Sequence, residues 1–300
     1  MKNINVQHCP ACGSSKCEKI LTTLDYLISK ESFDIINCSN CSLRFTSPIP
    51  NEEDSSIYYR SDDYISHTVK SNSVINIIYK FVQHFTLRSK RKIVRRITQK
   101  KVGTLLDIGC GAGNFLRIML QSGWAVTGVE INKEARALAK INTESVIMDQ
   151  TEYFESEQKY DVITLWHSLE HLHELEKYLN KICISLNTDG VVIIAVPNYK
   201  SFDAEYYQHE WAAYDVPRHL YHFSFEAMVK LMKKFNFELL RSKQLPFDPY
   251  YVSLLSETKV RKKKNIVRAL LVGWKSYWQG HKNKERGSSI LYIFKFEGNE

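Results

Sequence analysis

The stretch Leu105-Leu106-Asp107-Ile108-Gly109-Cys110-Gly111-Ala112-Gly113-Asn114-Phe115-Leu116 decides how this chain is read. An apolar run ends in Asp107, glycines follow at alternate positions, and an apolar helix begins. That is a buried strand, a tight turn and a helix N-terminus, an arrangement in which backbone N–H groups can approach a ligand closely. The spacing D-x-G-x-G-x-G differs from G-x-G-x-x-G, whose third glycine lies one residue further on and whose ligand carries a pyrophosphate. An acid at the strand end suits a ligand with a cationic amino-acid portion better.

Outward from this turn, strand and helix alternate from Val102 onward. Strands are predicted over residues 104–108, 125–130, 145–148, 161–166 and 191–196. The near-continuous apolar run at 191–196 indicates a parallel sheet covered on both faces. Gly123 suits a helix C-cap and Asn132 an N-cap. A helix over 225–235 capped by Ser224, a strand near 238–244 and a last strand over 289–297 complete the pattern. Residues 51–101 read mostly as helix, with apolar spacing at Ile75, Ile78, Tyr79 and Val82, then Ile93, Val94 and Ile97.

The 300 residues suit one large domain or two unequal ones, and 44% hydrophobic and 25% charged residues are ordinary for a globular protein. The N-terminal residues lack an apolar signal core, and no run reaches the ~18 apolar residues that span a bilayer. The chain is therefore expected to be cytoplasmic, with its thiols reduced. The net charge of +8 is concentrated at residues 88–101, 259–268 and 282–286. Such a balance admits nucleic acid, an anionic membrane surface or acidic small substrates, and does not choose among them.

The strand ends add to the glycine turn. Glu130 lies about twenty residues beyond it, where an acid can accept both ribose hydroxyls, and Asp149 closes the third strand at the ligand-binding edge. Residues 103–198, and more loosely the rest to 300, resemble the class I S-adenosylmethionine-dependent methyltransferases. The likeness rests on Asp107–Gly113, Glu130 and Asp149. It implies an α/β, Rossmann-like, doubly wound sheet of seven strands, the last antiparallel, with S-adenosylmethionine bound across the strand ends. Asp107, Gly109, Gly111, Gly113, Glu130, Asp149, Gln150 and Trp166 are the implied cofactor residues. Such motifs specify the cofactor and leave the methyl acceptor open.

The fourth strand opens into His167-Ser168-Leu169-Glu170-His171-Leu172-His173. On a helix, His167 and His171 would share one face; either is a candidate base, and a metal there lacks a third ligand at a helpful spacing. Past the fifth strand, residues 199–223 are dense in aromatic and polar groups, too polar for core, and are expected to form a lid over the methyl donor. In it, His219 is a third candidate base, with Tyr214, Asp215, Arg218 and His222 as acceptor-binding residues. The Asp/Asn-Pro-Pro turn of amino-directed DNA methyltransferases and the Pro-Cys of cytosine C5 enzymes are both missing.

At the N-terminus, Cys9-x2-Cys12 and Cys38-x2-Cys41 have the spacing of a structural, four-thiolate zinc ribbon over residues 1–50. Tyr58, Tyr59, Tyr64 and His67 follow it as candidates for a cleft wall. The lid and the cysteine pairs together resemble a bacterial methyltransferase subgroup with an N-terminal zinc motif. Residues 51–101 lead into a catalytic domain over 102–300, which carries a basic insert at 246–288. In that insert Val267, Leu271, Trp274 and Trp278 share one helical face, and Arg261, Lys264, Arg268 and Lys275 share the other. This suits an interfacial helix on anionic lipid, or a helix packed on its own domain or a dimer partner. The expected activity is methyl transfer to a small or lipid-carried acceptor such as a sugar or surface-polymer precursor, at the inner membrane surface if residues 260–278 touch lipid. The alternative is a tRNA or rRNA methyltransferase that docks RNA with its ribbon and basic helices.

Overall fold

Side-chain alternation explains why the central strands are apolar throughout: each of their faces meets a different core. The computed structural model describes residues 3–59, 74–262 and 265–298. Its N-terminal part forms β1 (Cys17–Leu24), β2 (Ser32–Cys38) and β3 (Arg44–Ser47), followed by the long helix α1 (Val74–Thr98). Then β4 (Thr104–Ile108), α2 (Asn114–Leu120), β5 (Ala125–Val129), α3 (Lys133–Thr143), β6 (Val146–Met148), α4 (Gln150–Glu155), β7 (Tyr160–Trp166), α5 (Leu175–Ile184) and β8 (Leu186–Pro197) alternate. Beyond them lie α6 (Phe202–Tyr207), β9 (Tyr221–His222), α7 (Phe225–Lys234), β10 (Phe237–Gln244), α8 (Asp248–Leu255), α9 (Ile266–Lys282) and β11 (Ser289–Phe296).

The seven-stranded sheet has the order β10-β11-β8-β7-β4-β5-β6. Strands β4 to β8 pair in parallel, while β11 runs antiparallel between β8 and β10, as the resemblance implies. In β8, Val191, Ile193 and Ala195 join a core with Phe115, Leu116 and Trp124. Val192, Ile194 and Val196 join the opposite core with Tyr178, Leu179 and Met228. Helix α5 buries Leu175, Tyr178, Leu179 and Ile182, a stripe at i, i+3, i+4 and i+7. Truncating the fully buried Leu179 to Ala would cost about 2–5 kcal/mol. Asn132 caps α3 and Ser224 caps α7 as read from the sequence.

Two local expectations are corrected, whereas residues 51–101, read mostly as helix, are so where described, in Glu52–Ser55, one turn at Ser56–Tyr59 and α1. Tyr64 and His67, and the side chains of Ile75, Ile78, Tyr79 and Val82, lie outside the described residues. His167 and His171 share no helix face, because His167 has φ 55° and only one tight turn, Leu169–His171, follows.

The second correction concerns residues 199–223, which are core and not, as read, too polar for it. Tyr207, Trp211 and Tyr214 are buried with Phe33 and Ile35 of β2, Tyr58, Val252 and Val272. Their polar ends are satisfied internally, which is how so polar a run can be buried. Asp203 accepts hydrogen bonds from Trp211 Nε1 (2.8 Å), Ser276 Oγ (2.6 Å) and Ser288 Oγ (2.8 Å). Strand β9 even completes the N-terminal sheet, of order β9-β3-β2-β1, by pairing Tyr221 with Phe45. The cysteine-bearing segment and the catalytic region are thus joined by one sheet.

Helix α9 packs on its own domain through Ala269, Val272, Gly273, Ser276 and Gly280, and not through the stripe of Val267, Leu271, Trp274 and Trp278. A Cβ on Gly273 would lie 2.8 Å from Tyr250 Cα, so α8 and α9 touch backbone to backbone there.

Candidate active site

Strand β4 ends where the chain must turn sharply, and the glycines there are required. Gly109, Gly111 and Gly113 have φ of 77°, 54° and 76°. A Cβ on Gly109 would strike Ser168 Cβ at 2.5 Å, whereas one on Gly111 would meet nothing within 4 Å. The loop is therefore packed on one side and open on the other, the cradle a ligand needs.

The acids stand around that opening. Asp107 is buried and accepts a 2.6 Å hydrogen bond from Thr164 Oγ1; burial raises its pKa to about 7. Glu130 accepts from the backbone N–H groups of Gly111 (2.8 Å) and Asn132 (2.9 Å), so it braces the turn it faces. Asp149 caps α4 in a capping box with Glu152, and Gln150 donates to Glu174 Oε2 at 3.1 Å. Trp166 stands edge-on to Phe115, and its buried Nε1 has no hydrogen-bond partner among the described residues. Open loop, buried carboxylate and orphaned indole N–H fit a nucleoside ligand with a cationic tail. Sequence reading missed Lys90 of α1, whose ammonium lies 4.4 Å from the Trp166 ring centroid. Burial lowers its pKa to about 8, while the Asp107 charge pulls it back up. Its place in a basic run made it look like one more solvated lysine.

The three candidate bases separate. His167 lies between two carboxylates, Nε2 at 3.1 Å from Asp248 Oδ2 and Nδ1 at 3.5 Å from Glu170 Oε1. Burial opposes its charge, but these two acids outweigh burial and raise its pKa to about 9. It is thus protonated at neutral pH, a poor base. Asp248 carried no signal, since it lies some eighty residues away on α8.

His171 and His219, by contrast, meet ring to ring at 4.6 Å, nearly perpendicular. His219 donates Nδ1–H to the Ala213 carbonyl (2.9 Å), which leaves Nε2 as an acceptor, with Asp215 Oδ2 at 4.0 Å. His171 donates Nδ1–H to the Arg218 carbonyl (3.0 Å), with Tyr59 Oη at 3.2 Å. Burial, then the neighbouring His219, lowers its pKa to about 4. One ligand-type atom from each of Glu170, His171 and His219 lies within 4.8 Å of the others.

The proposed acceptor residues divide as well. Arg218 is buried, with its guanidinium on Asp215 (2.7 Å), Asp25 (2.9 Å) and the Tyr58 carbonyl (3.0 Å). His222 is buried and donates Nε2–H to Thr46 Oγ1 (3.0 Å), whose own proton goes to the His219 carbonyl (2.7 Å). The Tyr214 hydroxyl accepts from Arg44 at 3.2 Å. These side chains build the wall behind His219.

Cys9, Cys12, Cys38 and Cys41 converge, with Sγ–Sγ distances of 3.5 Å (Cys9–Cys41) and 3.6 Å (Cys12–Cys38). Four thiolates around Zn at ~2.3 Å stand ~3.8 Å apart, so the donor set fits a tetrahedral ion. The two turns match: Gly13 N–H bonds the Cys9 carbonyl with φ 70°, and Ser42 N–H bonds the Cys38 carbonyl with φ 64°. Cys17 stays outside, its thiol on the Ser14 carbonyl.

A protein-family profile described as a methyltransferase domain matches residues 82–242, more than half of the chain. The ubiquinone biosynthesis O-methyltransferase of Pelagibacter ubique (strain HTCC1062) is 26% identical over 181 residues, 53% of this chain and 73% of that protein. Its namesake in Aeromonas salmonicida (strain A449) is 31% identical over 114 residues, 34% of this chain and 48% of that protein. The chain thus spans about half the length of the latter. Among solved structures, magnesium protoporphyrin IX methyltransferase (ChlM) from Synechocystis PCC 6803 with bound SAH superposes with a TM-score of 0.55. That pair shares 12% identity, and the match covers 82% of this chain and 100% of the other. Fold, loop and likeness define a class I S-adenosylmethionine-dependent methyltransferase. The chain belongs to the methyltransferase-domain family, and it binds S-adenosylmethionine as its methyl donor.

Proposed function

We propose that this enzyme methylates a hydroxyl oxygen of a small or lipid-carried acceptor, with a sugar or surface-polymer precursor as the favoured class. The observation that carries the reading is His219, with Nε2 free to accept a proton and Nδ1–H fixed, against His171, three residues after the Ser168 that packs on Gly109 of the glycine loop. Oxygen as the accepting atom is supported by the O-methyltransferases among the relatives.

Asp107, Gly109, Gly111, Gly113, Glu130, Asp149, Gln150 and Trp166 would hold S-adenosylmethionine. When bound, it supplies a methyl group already activated on a sulfonium, so positioning supplies most of the acceleration. His219 Nε2 takes the acceptor's hydroxyl proton, and Asp215 at 4.0 Å stabilises the imidazolium that forms. Arg218 fixes Asp215 in place, and Tyr214 and His222 shape the wall behind it. His167 keeps its proton and holds α8 through Asp248. Cys9, Cys12, Cys38 and Cys41 would hold a structural zinc that closes the two N-terminal turns on each other.

Radiolabelled S-adenosylmethionine added to fractionated host extract tests the reading, with Asp107→Ala as control. Label is expected in the lipid or small-molecule fraction. Label in RNA would overturn it in favour of an RNA-modifying enzyme.

A further inference from the structure

Helix α9 turns most of its large apolar residues to solvent, while Val272 is buried. Val267 is 69% exposed, Leu271 62%, Trp274 56% and Trp278 45%, with Ile266 and Leu270 beside them. A single exposed leucine needs no explanation; six large apolar side chains on one helix do. The inward face already has its partners, since Ala269, Gly273, Ser276 and Gly280 are buried against the domain. The outward stripe therefore serves something outside the fold.

We propose that α9 lies in the surface of an anionic lipid bilayer and docks the enzyme there. Charge selects this occupant. From Ile266 to Lys282 the helix has no acidic residue, and Lys262, Lys275, Lys282 and Lys284 are exposed around the stripe. The acidic neighbour Glu257 is buried, facing Arg261 and Arg268. A second copy of this chain pairing the same stripe would bring its lysines against each other. Lipid phosphates instead attract them, and tryptophans at the edge of an apolar stripe suit the headgroup boundary. Seventeen residues make a helix of ~25 Å, and among the described residues no helix is long and apolar enough to cross a membrane. The docking is therefore peripheral.

The stripe leads to the active site. Phe247 just before α8 and Tyr251 on it are exposed, Tyr250 packs on Gly273 of α9, and Asp248 holds His167. Docking thus brings the membrane one helix away from the reacting groups. That consequence rests on the reading of a lipid-carried acceptor, whereas docking itself does not.

Co-sedimentation with phosphatidylcholine vesicles, with and without phosphatidylglycerol, tests the docking, using wild type and a Trp274→Ala/Trp278→Ala variant. Both tryptophans are solvent-facing, so the variant should fold, and unchanged S-adenosylmethionine binding checks this. Wild type is expected to partition onto anionic vesicles, less so in high salt, and the variant at least about tenfold less. A folded wild type that ignores anionic vesicles overturns the proposal. So does equal partition of wild type and variant. A wild-type dimer that the variant dissociates in light scattering assigns the stripe to a second copy and overturns it too. Methyl transfer to a soluble acceptor is scored separately, so a failed docking and a failed activity are told apart.

Discussion

The two halves of the proposed active site are built in opposite ways. The cofactor half comes from consecutive strand ends: Asp107 lies at the end of β4 and the glycines follow it, Glu130 follows β5, Asp149 follows β6 and Trp166 ends β7. Each residue is placed by the strand it terminates, so the half is nearly complete within sixty residues. The acceptor half gathers Asp25, Thr46, Tyr58, Tyr59, His171, Asp215, Arg218, His219 and Asp248 from six separate stretches. Its geometry exists only after the N-terminal sheet has accepted β9 as a strand and Arg218 has closed on two carboxylates. Local chain geometry positions the first half; long-range pairing positions the second.

That contrast breaks most sharply at His219. His219→Ala is expected to lower kcat by about 10²–10⁴-fold, the usual loss for a positioned base. Affinity for S-adenosylmethionine, measured by calorimetry, should stay within a factor of about two. A matching loss of cofactor affinity would mean that the halves are one unit. Tyr59→Phe, which keeps the ring beside His171, is expected to leave kcat nearly unchanged.

Next in size is the pairing that assembles the acceptor half. Arg218→Met keeps the side chain's bulk and leaves Asp25 and Asp215 buried without their cation. Breaking a buried ion pair from one side costs about 3–5 kcal/mol. Denaturant unfolding should show that loss, with the N-terminal sheet losing amide protection first. Asp107→Asn, the corresponding change in the cofactor half, removes one charged contact from a frame that is already built. Its expected cost is about 1.5–3 kcal/mol in cofactor affinity, with stability little changed.

The same contrast explains what could be read from the sequence. Asp107, the three glycines, Glu130 and Asp149 are legible because each combines a residue type with a strand end, and a short apolar run bounded by turn residues exposes strand ends. The cysteine turns were legible for a similar reason: C-x2-C is a local geometry. The buried role of residues 199–223 was not legible. Asp203 satisfies Trp211 nearby and, from distant segments, Ser276 and Ser288, and nothing local marks those last two partners. His167 was misread for want of Asp248, and Lys90 for want of Trp166. On α9 the stripe is legible, but which way it faces depends on Gly273, which touches α8.

The smallest expected effect sharpens the cofactor half by its charge alone. Burial holds the Asp107 carboxyl up near pH 7, although Thr164 and Lys90 both favour its ionised form. Below about pH 7 the free protein therefore carries a proton there, and a ligand's cationic amino group needs the carboxylate bare. Binding must expel that proton, so affinity should fall about tenfold, or 1.4 kcal/mol, for each pH unit below 7, and level off above it. Calorimetry in buffers of different ionisation enthalpy would count the proton directly. Asp107→Asn should abolish both the slope and the released proton, because an amide does not titrate in this range. A slope that survives in Asp107→Asn would assign the proton to another group and would place Lys90, not Asp107, at the centre of the cofactor's charge balance.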